Sequence, residues 1–232
     1  MTYLFEPPPP PSLAVTGHDA RFPVHRIYCV GRNFVEHARE MGAEVAAEAP
    51  VFFCKPADAI VPGGGEVPYP PGTADLHHEV ELVVALGTDA PAGELDRAAA
   101  QALVFGYTVG LDLTRRDLQA EAKARRLPWD VAKAFDHSAP IGELLPVAQA
   151  GPLGLRYLWL QVNGVLRQNA PLDEMVHDVP AVIVALSRLF ALRAGDLVFM
   201  GTPAGVAALA RGDRFHAGID GWCELQGSIA SG

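Results

Sequence analysis

The segment from His77 to Leu86 constrains the fold of this chain more than any other. Valine and leucine fill most of it, which predicts a β-strand, because these residues favour a pleated, half-buried surface. Side chains alternate between the faces of a strand, so Glu79 and Glu81 project from the same face as His77. Two such carboxylates repel each other, and burying either without a partner is unfavourable. A divalent cation would remove both problems, although an isolated pair of this kind is more typical of an exposed edge strand.

A second strand carries a third carboxylate. From Phe105 to Leu113 large apolar residues alternate with small ones, which predicts open space on one face with Asp112 at its end. Asp112 is then equally suited to bind a metal or ligand and to cap the next helix. We predict that this helix starts with a capping box at Thr114 and stops at Leu127-Pro128.

A third segment pairs a histidine with a carboxylate. The stretch from Asn33 to Gly42 begins with a capping residue and ends with glycine, which predicts a helix. His37 and Glu40 are three residues apart and therefore share one face of it. A histidine oriented by a carboxylate can take a proton from water, but solvated surface pairs have the same spacing.

The remaining pattern is rich in strands and predicts an α+β fold. Further strands are expected at 26–31, 51–56, 197–200, 214–217 and 222–229, a hairpin with a type I′ turn at 157–167, helices at 94–103 and 179–192, and loops at 129–140 and 201–205. The helices do not alternate strictly with strands, which disfavours a doubly wound α/β sheet. Five prolines at 7–11 predict a proline-rich N-terminal arm over residues 1–20, followed by one domain at 21–232.

The composition excludes several classes of function. Half of the 232 residues are hydrophobic, 19% are charged and the net charge is −9, without a basic block. Such a chain folds, and it is unsuited to nucleic acid or to anionic membranes. Three widely spaced cysteines indicate a reducing, cytoplasmic location. We expect neither a signal peptide nor a membrane span.

Several short stretches form a specific pattern through their order and spacing. They are Tyr28–Asn33 with His37 and Glu40, Phe53–Pro56, His78–Glu81, Gly110–Gln119, Lys133–Phe135, Val162–Gly164, and Gly195-Asp196 with Gly201–Pro203. From about Arg26 to Ile229 the chain thereby resembles the fumarylacetoacetate hydrolase family. The resemblance implies an α+β mixed β-roll and a homodimer.

The resemblance also implies roles for single residues. Glu79, Glu81 and Asp112 would bind a divalent metal, Mg²⁺ or Mn²⁺, both of which prefer hard oxygen donors. The catalytic residues would be His37 and Glu40, which activate water, and Lys133, which binds a substrate anion. The substrate would also be contacted by Arg32, Arg116, Gln119 and Thr202.

The implied activity is metal-dependent hydrolysis of the carbon–carbon bond of a 2,4-dioxo acid, or acylpyruvate. Residues 52–59 and 132–142 most resemble the fumarylpyruvate hydrolases of bacterial gentisate degradation, which release fumarate and pyruvate. Three alternatives remain open. One is oxaloacetate decarboxylation, or isomerisation or hydration of a dienoate, at the same site. The others are a non-catalytic metal-binding protein and a cupin-like oxygenase that uses His77 and Glu79.

Overall fold

The computed structural model describes residues 2–40 and 50–232 of the chain, which form strands, α-helices and two single-turn 3₁₀ helices. The strands are β1 (Ser12–Val15), β2 (His18–Pro23), β3 (Ile27–Gly31), β4 (Val51–Lys55), β5 (Ile60–Pro62), β6 (Gly64–Val67), β7 (Leu76–His78), β8 (Val80–Leu86), β9 (Val104–Leu111), β10 (Thr114–Arg115), β11 (Ala139–Ile141), β12 (Leu145–Pro146), β13 (Tyr157–Val162), β14 (Val165–Pro171), β15 (Leu197–Phe199), β16 (Ala207–Ala208), β17 (Arg214–Ile219) and β18 (Cys223–Ile229). The helices are α1 (Val35–Glu40), α2 (Arg97–Ala102), α3 (Arg116–Arg125), α4 (Asp130–Lys133), α5 (Val147–Ala150) and α6 (Val179–Ser187), with 3₁₀ turns at Ala57–Ala59 and Leu172–Glu174.

The strands form four sheets. Their orders are β1-β2, β10-β7-β16, β4-β3-β15-β8-β9-β11-β5 with β12 also paired to β9, and β14-β13-β17-β18-β6. Most neighbours are antiparallel, and the parallel pairs are β3 with β15, β5 with β11 and β6 with β18. This mixture of pairings, with helices beside the sheets, confirms the predicted α+β class.

The eight-stranded sheet is covered on both faces. Leu82 and Val84 of β8 belong to a large core that also contains the five-stranded sheet and α6. Val83 and Ala85, on the opposite face, belong to a smaller core under the β1-β2 hairpin. Every residue of β8, including Glu81, is therefore buried. Because β8 pairs with β15 on one side and β9 on the other, the alternative of an exposed edge strand is wrong.

Two predicted strands differ from the observed ones. The strand predicted from His77 to Leu86 is broken at Glu79, so β7 lies in the three-stranded sheet and β8 in the eight-stranded one. The open space predicted beside β9 is filled. A Cβ atom added to Gly106 would lie 2.4 Å from the Leu145 carbonyl oxygen, and one added to Gly110 would lie 2.8 Å from the Phe199 ring. The small residues make room for neighbouring segments of the chain, not for a ligand.

The helices are shorter than predicted. The first begins at Val35, and its predicted stop at Gly42 lies outside the described residues. The second and the last begin after Asp96 and Asp178, whose carboxylates accept backbone N–H groups as N-caps. The prediction of a capping box at Thr114 is wrong, because Thr114 lies in β10 and its hydroxyl donates to the Asp112 carbonyl oxygen.

The predicted β-hairpin is observed. The hairpin of β13 and β14 has positive φ at both turn residues, 52° at Asn163 and 76° at Gly164, which confirms the type I′ turn. All three cysteines are free. Within residues 2–40 and 50–232 no helix is long and apolar enough to cross a membrane. Strand β1 lies inside the predicted arm with Leu13 buried, and a domain boundary at residue 20 stays a prediction.

Candidate metal centre and active site

Three carboxylates meet because two neighbouring strands carry them in register. In the antiparallel ladder of β8 and β9, Glu81 is opposite Gly110. Beyond the end of the ladder, the Asp112 N–H donates to the Glu79 carbonyl oxygen at 2.8 Å. Cross-strand neighbours and the alternation of side chains thus bring Glu79, Glu81 and Asp112 together. Their ligand oxygens lie within 4.8 Å of one another, and all three residues are buried.

Lys133, the last residue of α4, connects two of these carboxylates. Its ammonium donates to Glu79 Oε2 at 2.7 Å and to Asp112 Oδ2 at 2.6 Å. The third bond, at 2.7 Å, goes to the Thr114 hydroxyl. The prediction of a loop at Lys133 is wrong, because the residue lies in α4. This helix packs beside α3, which fixes the position of the Lys133 backbone. An ammonium group has three donors, so all of them are used within the site.

Other donors complete the surroundings of the cluster. The Lys55 ammonium lies 2.8 Å from Asp112 Oδ1. The Arg116 guanidinium donates to Glu79 and, at 2.6 Å, to Gln119 Oε1. Glu81 accepts only an uncharged donor among the described residues, the Gly201 N–H at 2.7 Å.

This asymmetry separates the two glutamates electrostatically. Burial raises the pKa of Glu79, but the positive charges of Lys133 and Arg116 outweigh burial and hold the pKa well below its ordinary value. Burial, together with the negative charges of Asp112 and Glu79, raises the pKa of Glu81 well above its ordinary value. Glu79 is thus hydrogen-bonded to two cations, whereas Glu81 is hydrogen-bonded to none among the described residues.

The cluster fits a divalent metal ion. Its donors are carboxylate oxygens, the ligands that Mg²⁺ and Mn²⁺ prefer. Asp112 Oδ1 has no hydrogen-bond partner of suitable geometry within the described residues, although Lys55 lies close to it. A buried carboxylate oxygen in that state is available to a cation. His77 Nε2 lies 2.9 Å from Asp75 Oδ1 and His77 is absent from the cluster, which disfavours the cupin-like alternative.

The predicted water-activating pair lies beside this cluster. His37 Nδ1 is 3.5 Å from Glu40 Oε2, but Nδ1 forms no hydrogen bond within the described residues. Such contacts are often long without substrate. Burial lowers the pKa of His37 below its ordinary value, although the negative charges of Glu79 and Glu40 act in the opposite direction. The imidazole is therefore neutral at pH 7 and able to accept a proton.

The loop of residues 201–205 contacts both halves of the site. Its Gly201 N–H donates to Glu81, and its Gly205 N–H lies 3.2 Å from Glu40 Oε2. Both amides therefore bind carboxylates of the protein itself.

A buried amide holds the same loop in place. Gln168 of β14 donates from Nε2 to the Thr202 hydroxyl and to the Pro203 carbonyl oxygen, each at 2.8 Å. Its Oε1 accepts the Val80 N–H at 3.1 Å and lies 2.9 Å from His78 Nδ1. Both amide hydrogens and both lone pairs are thus used. Because Thr202 accepts from Gln168, its own hydroxyl proton is available to a ligand.

We expect Gln168→Leu to destabilise the fold by at least about 2 kcal/mol, because it leaves several buried donors and acceptors unpaired. Urea denaturation measures this effect. Gln168→Glu should keep the acceptor for Val80 and lose the donors to Thr202. The control is Gln226→Leu on the exposed face of β18, for which a change within about 0.5 kcal/mol is expected. Equal midpoints for Gln168→Leu and the wild type would contradict the assignment.

A cavity of about 40 Å³, the space of a few water molecules, opens at the cluster. Seven predicted site residues line it, namely Arg32, Glu79, Glu81, Asp112, Gln119, Lys133 and Thr202. His37, Glu40 and Arg116 lie outside this lining. A larger concavity of about 760 Å³ lies on the five-stranded sheet. It contains no group of three possible metal ligands within the described residues, so we place the site at the smaller cavity.

Sequence reasoning gave no role to three residues that the site contains. Lys55 and Gln168 are buried, and Lys123 lines the cavity. Lys55 had a usable signal, because a lysine inside an apolar strand that ends in proline must find a partner if it is buried. Gln168 had none, since its partners are far away in the sequence.

Comparison with known proteins shows the family of the chain. Residues 26–230 match the family described as fumarylacetoacetate (FAA) hydrolase C-terminal. The mitochondrial oxaloacetate tautomerase of Rattus norvegicus is 44% identical over 196 residues, 84% of this chain and 87% of the relative. The oxaloacetate tautomerase YcgM of Escherichia coli (strain K12) is 39% identical over 201 residues, 86% and 90% of the two chains. The crystal structure of fumarylpyruvate hydrolase from Pseudomonas aeruginosa, in complex with Mn²⁺ and pyruvate, has a TM-score of 0.94 and 47% identity over 99% of both chains.

The chain therefore belongs to the fumarylacetoacetate hydrolase family, and its candidate site contains three buried carboxylates that fit a divalent metal ion. The expected mixed β-roll is confirmed by the similar fold of the Pseudomonas aeruginosa structure. The individual roles of the site residues stay predictions.

Proposed function

We propose that the chain is a metal-dependent hydrolase that converts fumarylpyruvate and water to fumarate and pyruvate. One observation carries this proposal: a neutral histidine with its own carboxylate lies beside a buried cluster of three carboxylates. Hydrolysis needs a base for water in addition to a metal site, and the pair of His37 and Glu40 supplies one. The similarity to a fumarylpyruvate hydrolase over nearly the whole chain supports the choice of substrate.

The residues that would hold the metal are Glu79, Glu81 and Asp112. A bound Mg²⁺ or Mn²⁺ would supply Lewis-acid polarisation of the substrate's 2-oxo and carboxylate oxygens. Thr202 presents its hydroxyl proton to the same cavity, so it is placed to donate to an anionic oxygen of the substrate.

The chain's own groups move the proton. Because Nδ1 of His37 faces Glu40, Nε2 is left to take a proton from water. The water oxygen forms a bond to C4 of the substrate, and the C3–C4 bond breaks with its electron pair left on C3. The proton held on Nε2 then passes to C3, so that the products are fumarate and pyruvate.

Lys133 contributes positive charge where negative charge develops. Its three donors are bound to Glu79, Asp112 and Thr114, so a bond to the substrate requires exchange of one of them. In either arrangement the buried ammonium stabilises the enolate that cleavage forms.

A second candidate is conversion of oxaloacetate at the same site. It is favoured by the names of two relatives, both oxaloacetate tautomerases, at 44% and 39% identity. Enolisation of an oxo acid uses the same polarising cation and a base, without attack by water. The geometry of His37 and Glu40 serves both reactions, and only the substrate separates them.

Loss of the enol absorbance of fumarylpyruvate tests the proposal. We expect turnover with Mg²⁺ or Mn²⁺, none with EDTA, and equal amounts of fumarate and pyruvate. Oxaloacetate and acetylpyruvate are measured in parallel. Activity on oxaloacetate alone would replace the proposal with the second candidate, and inactivity on all three with metal bound would indicate a binding protein.

The setting of the reaction is also part of the proposal. We propose a cytoplasmic homodimer that acts in gentisate-type aromatic degradation, without nucleic-acid or membrane partners. Three free cysteines support the reducing compartment. Sedimentation equilibrium of the full chain tests the dimer.

A further inference from the structure

The wall of the cavity carries more basic groups than the proposed chemistry uses. Lys123 of α3 and Arg32, directly after β3, line the cavity together with Lys133. Lys133 is bound to two carboxylates of the metal cluster. For Lys123 and Arg32 no ion pair is formed within residues 2–40 and 50–232.

Lys123 is held at the cavity by its surroundings. Its ammonium lies 5.4 Å from the centre of the Trp129 ring, within the range of a cation–π contact. The residue is half-buried. Burial and the positive charges of Arg116 and Arg32 lower the pKa of Lys123, because a charged ammonium is less stable beside other cations. An anion placed between them would relieve that repulsion.

The charge of the whole site points in the same direction. The three carboxylates are already opposed by Lys55, Lys133 and Arg116. A divalent cation on the cluster would add positive charge that one substrate carboxylate does not balance. A substrate with two carboxylates would balance more of it and give Lys123 a partner.

The wall near Lys123 also has room for the far end of a substrate. Phe53, Trp129 and Lys133 line both the metal-site cavity and an adjoining open cleft of about 420 Å³. The cleft continues past Leu127 and Pro128 and is mostly apolar, with Asp130 as the acidic residue of its lining. A chain of carbon atoms fits such walls, and the nearby basic groups suit a charged end.

We infer that Lys123, with Arg32 beside it, binds the distal carboxylate of the substrate and selects dioxo diacids over acylpyruvates with an uncharged acyl group. This inference rests on the proposed function and names the substrate class for it. Lys123 is a specificity residue here, because the groups that break the bond lie elsewhere.

Two substrates that differ in the distal carboxylate test the inference. The value of kcat/KM is measured for fumarylpyruvate and for acetylpyruvate with Mn²⁺, in wild type, Lys123→Gln, Lys123→Arg and Arg125→Gln. Arg125→Gln is a matched control because it removes the same charge from the same helix. The Arg125 side chain is exposed and pairs with Glu121 at 2.6 Å. We expect Lys123→Gln to lower kcat/KM for fumarylpyruvate by about 10- to 100-fold, the effect of one charged hydrogen bond.

The other variants complete the pattern. Acetylpyruvate should be processed by Lys123→Gln as by the wild type, and Lys123→Arg and Arg125→Gln should retain activity on both substrates. An equal loss on both substrates, or no loss on either, would overturn the inference. Calorimetry of fumarate binding to the Mn²⁺-loaded protein gives a readout without turnover, and Lys123→Gln should weaken that binding.

The inference and the proposed function can fail separately. A wild type that turns over neither substrate would contradict the proposed function. The fumarate titration would still decide the subsite, since equal binding by wild type and Lys123→Gln would overturn it.

Discussion

His37→Ala should lower the turnover of fumarylpyruvate by about 10²- to 10⁴-fold, the contribution of a positioned general base. The physical reason is that His37, the proposed base, is buried and has a lowered pKa, so its imidazole is neutral at pH 7. Steady-state kinetics with saturating Mn²⁺ measures the loss. Calorimetry should show unchanged Mn²⁺ affinity, because the variant keeps Glu79, Glu81 and Asp112.

The control for this prediction is His216→Ala. His216 lies on β17 of the five-stranded sheet, where its Nε2 is 2.9 Å from Glu224 Oε2, and its loss should leave turnover unchanged. Wild-type rates in His37→Ala would remove the proposed role of His37.

The pH profile gives a second readout of the same group. Because burial lowers the pKa of His37, the base form persists below the ordinary histidine pKa. The rate should therefore fall on acidification only at a pH below about 6.5, the ordinary value. The residual activity of His37→Ala should lack this acid limb, and a limb at the same pH in the variant would assign it to another group.

The second large effect concerns stability. Lys133→Met should destabilise the metal-free protein by about 3–5 kcal/mol, because it leaves Glu79 and Asp112 buried without their shared partner. Urea denaturation in EDTA measures this change. Addition of Mn²⁺ should restore part of the stability, since a cation that binds only the folded state stabilises it.

The control for Lys133 is Arg188→Met, which removes a charge from an exposed pair with Glu94 at 2.7 Å. Exposed pairs contribute about 0–1 kcal/mol. Equal denaturation midpoints for Lys133→Met and the wild type, both in EDTA, would show that Lys133 does not compensate the buried carboxylates.

The carboxylate cluster was the part of the site most accessible from sequence. Strand periodicity alone placed Glu79 and Glu81 on one face, and Asp112 was recognised as an acid at the end of a strand. The pairing of β8 with β9, which brings the three carboxylates together, could not be predicted from the sequence, because two apolar strands can pair in many registers. The break at Glu79 was also hidden, since it depends on β7 pairing with β10 and β16, which are two residues long each.

The compensating groups were less predictable for a physical reason. Lys55 is 58 residues from Leu113, whose carbonyl oxygen accepts one of its protons at 3.2 Å. Gln168 is 90 residues from His78. Local patterns carry no information on such pairs, because they arise only when separate sheets come together. The small residues of β9 were misinterpreted for the same reason, as the side chain that fills the space beside Gly110 comes from Phe199.

The loop of residues 201–205 works as a spacer between two chemical functions. One end binds Glu81 of the three-carboxylate cluster, and the other contacts Glu40, the proposed partner of His37. A deletion of one residue between Gly201 and Gly205 would shift the base relative to the cluster without altering any ligand. In the proposed mechanism, the length of this loop therefore sets the distance between the base and the cluster.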